Sequence, residues 1–224
     1  MSGSLTRVKI CGVTRAEDAR AAARAGAHAL GLNFAAESPR FAGSLERARA
    51  LVEQAATGGQ VLWAGVFVNS GLEEVLGAVR AVGLQIVQLH GEEPPAWVEQ
   101  LKRRLGAQAA VWKACRVATE KDLEALPRYA CDAWLVDAKC DPVRGGSGKT
   151  FDWDILKNVP RTTPLVLAGG LNPENVREAV RRVKPDWVDT ASGVETAPGI
   201  KDASLIERFV REVEAADETA DERR

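Results

Sequence analysis

The sequence predicts an α/β protein built as a single (β/α)8 TIM barrel, and three observations carry that expectation. Eight short apolar runs alternate strictly with eight segments of helical spacing. The runs are too apolar for either side to face water, as parallel strands covered by helices must be. The 224 residues are a length that such barrels reach without splitting into domains. No G-x-G-x-x-G follows the first strand, which counts against an open dinucleotide-binding sheet.

The elements follow in order. Val8-Lys9-Ile10-Cys11 is an apolar run interrupted by Lys9, a charge to which the sequence assigns no role, and Gly12-Val13-Thr14 breaks the strand and can cap a helix from about Arg15 to Ala25, closed by Gly26. Ala29–Phe34 is the second strand, Ala35–Ser44 a loop, and Leu45–Ala56 a helix. Val61–Val68, Ile86–Leu89 and Ala109–Ala114 are the third to fifth strands, separated by helices over Leu72–Val82 and Pro95–Leu105, the latter with proline in its first turn. A short helix, Thr119–Leu126, leads to strand six, Ala133–Val136, with Asp137 at its end. A long glycine-containing loop precedes a helix around Trp153–Asn158. Leu165–Ala168 is strand seven, Pro173–Val183 its helix, Trp187–Val188 strand eight, and Leu205–Val213 the closing helix. The core thus runs from about residue 7 to 213, and the charged stretch Asp217–Arg224 reads as a frayed, solvated end.

Composition narrows the partners. A net charge of −1 with 46% hydrophobic and 27% charged residues gives no general attraction to nucleic acid or to an acidic membrane, so a small molecule is expected instead. The N-terminus shows no signal-like pattern, and no window reaches the length of a membrane span, so the cytoplasm is the expected location. Cys11, Cys115, Cys131 and Cys140 show no C-x-x-C spacing and are expected as free thiols, while His28 and His90 stand far apart. No metal is expected. Monomer and homodimer both stay open.

In such a barrel the informative positions are the strand C-terminal ends and the loops that follow them. Those positions hold Cys11, Asn33, Asn69, His90-Gly91, Asp137, Gly169-Gly170, and Asp189 with Ser192-Gly193; Arg40 lies in the second loop. Glycines after strands seven and eight let backbone N–H groups approach an anion, so Gly169, Gly170, Ser192 and Gly193 are the expected phosphate site. Each residue also has a plain structural use: Cys11 as a small buried hydrophobe, Asp137 as a turn cap, Arg40 as a surface cation and His90 as a buried ring satisfied by a carbonyl. Arg144-Gly145-Gly146-Ser147-Gly148-Lys149-Thr150 approaches a nucleotide P-loop but has Val143 where that motif needs glycine, and it reads better as a mobile loop over bound substrate.

These residues resemble one family along almost the whole chain, from Val8 to about Val213. The matching stretches are Lys9-Ile10-Cys11-Gly12-Val13-Thr14, Ser38-Pro39-Arg40, Gly65-Val66-Phe67-Val68-Asn69, Gln88-Leu89-His90-Gly91 and Val136-Asp137-Ala138. They continue through Gly145-Gly146-Ser147-Gly148 with Phe151-Asp152-Trp153, Leu167-Ala168-Gly169-Gly170-Leu171, Asp189-Thr190-Ala191-Ser192-Gly193-Val194-Glu195 and Pro198-Gly199-Ile200-Lys201-Asp202. The sequence resembles the phosphoribosylanthranilate isomerases of tryptophan biosynthesis, departing at Ala191, where that family often has serine.

The resemblance implies a cofactor-independent Amadori rearrangement of N-(5-phosphoribosyl)anthranilate to its 1-deoxyribulose 5-phosphate isomer. An acid protonates the ring oxygen to open the sugar, and a base removes the C2′ proton. By resemblance the base is Cys11 and the acid Asp137; Arg40 suits the anthranilate carboxylate through its two-point geometry. The base must be partly thiolate and the acid must keep its proton, requirements that a nearby cation and apolar neighbours would respectively favour. His90, Asn69 and Asp189 are candidates for orienting substrate. A metal-dependent sugar-phosphate epimerase would need histidine and acidic ligands at several strand ends, which this chain lacks. A non-catalytic phosphosugar-binding barrel is the remaining alternative, although binding alone needs neither Cys11 nor Asp137.

Overall fold

A computed structural model describes residues 5–59, 61–137 and 153–221. Eight parallel strands close into a barrel in sequence order: β1 (Arg7–Ile10), β2 (Ala29–Asn33), β3 (Leu62–Phe67), β4 (Ile86–Leu89), β5 (Ala110–Arg116), β6 (Ala133–Asp137), β7 (Leu165–Ala168) and β8 (Trp187–Thr190). The last strand pairs with the first, Lys9 opposite Asp189 and Ile10 opposite Thr190. Around them lie α1 (Ala16–Arg24), α2 (Leu45–Ala55), α3 (Leu72–Val82), α4 (Pro95–Leu105), α5 (Val176–Val183) and α6 (Ala203–Asp221). The fifth and sixth helical positions are taken by 3-10 helices, Glu120–Arg128 and Trp153–Asn158. Pro127 inside the first of these has no N–H to donate to an α-helical ladder.

The side chains divide by strand parity, because successive residues of a strand point to opposite faces. Inside the barrel Ala29, Ala64, Ile86, Trp112, Ala114, Ala133, Leu135, Val166, Ala168 and Trp187 form one buried cluster, with Trp112 and Trp187 edge to face at 5.1 Å. The other parity packs against the helices in a larger second core that includes Val8, Ile10, Leu30, Trp134, Val136, Leu165 and Leu167. Continued to the strand ends, the inward parity carries Cys11 above Lys9, His90 above Gln88, and Asp137 above Leu135. The barrel therefore sends these three side chains to its C-terminal mouth.

Four local expectations are corrected. Thr14 does not cap α1, whose N-cap is Arg15 without a side-chain bond; its hydroxyl donates to the Gly199 carbonyl at 2.6 Å, tying the first loop to the last. The closing helix is not the first regular element after β8, since Glu195–Ala197 (β9) and Ile200–Lys201 (β10) form a small antiparallel hairpin before it. Strand β5 runs two residues past Ala114. The charged end is no frayed tail over its described part, because α6 continues to Asp221 and Asp217 accepts bonds from the Thr6 N–H at 2.7 Å and the Thr6 hydroxyl at 2.9 Å. The glycine-rich stretch 144–150 and Cys140 lie outside the described residues.

Asp217 closes the chain onto its beginning, and Thr6 is buried. Asp217→Ala leaves that N–H unanswered, and hydrogen bonds to a charged group contribute about 1.5–3 kcal/mol. Urea unfolding is expected to show a loss of about 1–3 kcal/mol at unchanged slope. A midpoint equal to the parent's would mean that the end is solvated after all.

Candidate active site at the barrel mouth

Cys11 follows the last residue of β1, and its N–H donates to the Thr190 carbonyl at 2.8 Å, so β8 fixes its backbone. Its own carbonyl accepts a bond from the Lys201 ammonium, which also reaches the Ala191 carbonyl at 3.1 Å and Glu195 Oε1 at 2.8 Å. The side chain is half-buried. Burial pushes the Cys11 thiol above its ordinary range; Lys9 pulls it back, Asp189 pushes it up again and Lys201 pulls it down. The ordinary thiol form therefore dominates at rest, and the nearby cations work against the cost of making a thiolate.

Asp137 ends β6 and faces His90, the residue that follows β4, Nε2 to Oδ2 at 3.5 Å. The His90 ring is oriented from its other nitrogen, where Nδ1 meets Gln88 Nε2 at 3.2 Å, and the His90 backbone N–H donates to the Phe67 carbonyl at 2.8 Å. Both side chains remain partly exposed, as groups that meet a ligand must. Cys11 and Asp137 thus occupy the same rim on different strands of the closed sheet.

Arg40, in the loop after β2, is already engaged. Its Nε and Nη2 form a two-point ion pair with Glu195, closest at 2.6 Å, while Nη1 is not engaged by that carboxylate. Glu195 also accepts from the Gly199 N–H at 3.1 Å. Burial disfavours the Glu195 charge, but Arg40 and Lys201 overcome it and hold the carboxyl below its usual range. Burial pulls Lys201 below the usual lysine value, Glu195 and Cys11 opposing that shift. This Arg40–Glu195–Lys201 network locks the loop after β2 to the β9–β10 hairpin and to Cys11. Glu195 and Lys201 fall within the stretches that mark the family resemblance, yet their partners stand at positions 40 and 11, and only the closed barrel joins them.

The loops after β7 and β8 lie side by side because their strands pair, and Thr190 Oγ1 donates to the Leu171 carbonyl at 2.7 Å. Gly169 and Gly170 have φ of 95° and 67°, a left-handed conformation that glycine adopts without strain. At Gly193 a Cβ would stand 2.0 Å from the Leu171 carbonyl oxygen, so only glycine permits that approach. Ser192 begins a three-residue 3-10 turn. Asn69 Oδ1 accepts from the Glu92 N–H at 2.8 Å, and the Asn69 backbone N–H donates to buried Glu93. Asp189 is buried in β8 and bound to Lys9 at 2.9 Å. Among the described residues no three His, Cys, Asp or Glu side chains gather as a metal site would need, and no helix is long and apolar enough to cross a membrane.

Comparison with known proteins adds an independent line. The family model described as N-(5'phosphoribosyl)anthranilate (PRA) isomerase matches residues 8–212. The N-(5'-phosphoribosyl)anthranilate isomerase of Pelobacter propionicus is 44% identical over 207 residues, 92% of this chain and 95% of that protein. The crystal structure of phosphoribosyl anthranilate isomerase from Thermotoga maritima is 43% identical with a TM-score of 0.83, covering 94% of this chain and 100% of that chain. A further phosphoribosyl anthranilate isomerase structure, in complex with reduced 1-(o-carboxyphenylamino)-1-deoxyribulose 5-phosphate, is 40% identical with a TM-score of 0.81 over 94% of this chain and all of the other.

Proposed function

The chain belongs to the N-(5'-phosphoribosyl)anthranilate isomerase family, and from that premise we propose that Cys11 and Asp137 perform the two proton transfers of its reaction. The enzyme is an isomerase of tryptophan biosynthesis, an aldose–ketose rearrangement that needs no cofactor. The single observation that carries the residue assignment is geometric: a thiol and a carboxyl on different strands share the inward parity and one rim of the closed barrel. A pentose between them is open to a proton donor on one side and an acceptor on the other.

Asp137 gives its proton to the ribose ring oxygen as the C1′–O bond breaks and nitrogen supplies the electrons for the Schiff base. Cys11 as thiolate then takes the C2′ proton, and the C–H electrons flow toward the iminium to give the enolamine, which relaxes to the ketone. General acid or base catalysis of this kind contributes typically about 10²–10⁴-fold per group. His90 supports Asp137 from 3.5 Å. The substrate phosphate belongs against the paired loops of Gly169-Gly170 and Ser192-Gly193, whose backbone N–H groups suit an anion. The enzyme acts on this phosphorylated metabolite in the cytoplasm.

Arg40 is the carboxylate clamp of the reading, with Glu195 holding one edge of the guanidinium and Nη1 left for the anthranilate. Arg40→Ala removes a charge-assisted contact worth about 1.5–3 kcal/mol. KM is expected to rise about tenfold or more with a smaller change in kcat. A fall in kcat at constant KM would remove the clamp. The function itself is tested by adding phosphoribosylanthranilate to the purified chain: its fluorescence is expected to decay enzymatically, and a rate no faster than the spontaneous one would refute the isomerase.

A further inference from the structure

Lys9 is the one buried charge of β1, whose other charged residue, Arg7, is exposed, and it is wholly enclosed inside the barrel. Its register partner across β1 and β8 is Asp189, and the two side chains, sharing the inward face, meet at 2.9 Å. Lys9 is also two residues before Cys11, so both stack on the same face of the chain. Gly31 on β2 makes room for them: a Cβ there would stand 2.8 Å from Cys11 Sγ and 3.2 Å from Lys9 Nζ. Burying a lysine is costly unless its charge is answered. A leucine here would have filled the barrel without that cost, and the group that lies beside the ammonium, besides Asp189, is the Cys11 sulfur.

We propose that Lys9 is a positioning residue for proton abstraction, an ammonium clamped by Asp189 beside Cys11 so that negative charge can rest on Sγ while the thiolate waits for the C2′ proton. The proposal rests on the reading of Cys11 as the base. In the step itself the C2′–H bond breaks, the S–H bond forms, and the thiolate charge disappears. Lys9 keeps its proton throughout. Burial opposes the Lys9 charge, but Asp189 and Cys11 together hold it above the usual lysine value. The other charges facing Cys11 are Lys201 from β10 and Arg40 from the second loop, both tied to Glu195 of β9. Those two cations are neutralised mainly by Glu195, whereas Lys9 is shared between Asp189 and the sulfur.

The signs make a discriminating test. Removing the cation in Lys9→Met disfavours the thiolate, so the pH midpoint of Cys11 alkylation by iodoacetamide, read against a Cys11→Ser background, is expected to rise by about one unit or more. Below the midpoint that is about a tenfold loss of reactivity, and the acid limb of kcat/KM is expected to move with it. Asp189→Asn removes an anion and leaves the ammonium, so both midpoints are expected to fall. A role in packing alone would lower activity without moving the midpoints, or move them the same way in both variants, and either result overturns the proposal. If Lys9→Met does not fold, Asp189→Asn decides by itself, an unmoved or raised midpoint being the contrary outcome. An inactive Cys11→Ser with unmoved midpoints defeats only the role of Lys9. Full turnover in Cys11→Ser defeats the base assignment and this proposal with it.

Discussion

Cys11→Ser is expected to lower kcat by about two to four orders of magnitude, the usual share of a general base, while the protein still folds. Serine is nearly isosteric, so the hydrogen bond from the residue 11 N–H to Thr190 and the one from Lys201 to its carbonyl, both made by backbone atoms, survive the change. The hydroxyl, however, is far harder to deprotonate than a thiol, and the cations around Sγ act on a group that gains little from them. Steady-state fluorescence kinetics gives kcat, and circular dichroism with thermal unfolding checks that the barrel persists. A variant turning over at near the parent rate would leave the proton abstraction without its base.

Asp137→Asn is expected to be comparably severe, about two to four orders in kcat, for the complementary reason. The amide fills the space of the carboxyl and can still meet His90 across the 3.5 Å gap. What it cannot do is deliver a proton to the ring oxygen, so the sugar stays closed and the later abstraction has no activated C2′–H to act on. The loss is expected in kcat with KM little changed, because the phosphate loops and Arg40 are untouched. A loss confined to KM would mean that Asp137 binds substrate and that the acid lies elsewhere.

Much of this architecture is legible in the sequence because its signals are local. Alternating apolar runs and helical segments specify the barrel, and the residue after each run falls at the mouth. That is how Cys11, His90 and Asp137 can be placed before any coordinates. The unreadable part is pairing between distant positions. Thr14 looks like a cap because a threonine before a helix usually is one, but the hairpin carrying Gly199 offers its hydroxyl a competing acceptor. Asp217 reads as solvated tail until Thr6 is brought beside it. Asp189, read as a substrate-orienting candidate at a strand end, is taken by Lys9 once β8 pairs with β1 in register. A lone lysine within an apolar strand was itself the available signal, since such a charge is buried only with a partner.

The most direct test of the central claim is a crystal structure of this chain with the reduced product analogue, 1-(o-carboxyphenylamino)-1-deoxyribulose 5-phosphate. The expected complex has Cys11 Sγ within about 3.5 Å of C2′, as reacting groups require. It also has Asp137 on the opposite side of the sugar and the phosphate against Gly170 and Gly193. A sugar bound with C2′ turned away from Cys11, or with both side chains on one face of it, would contradict the account.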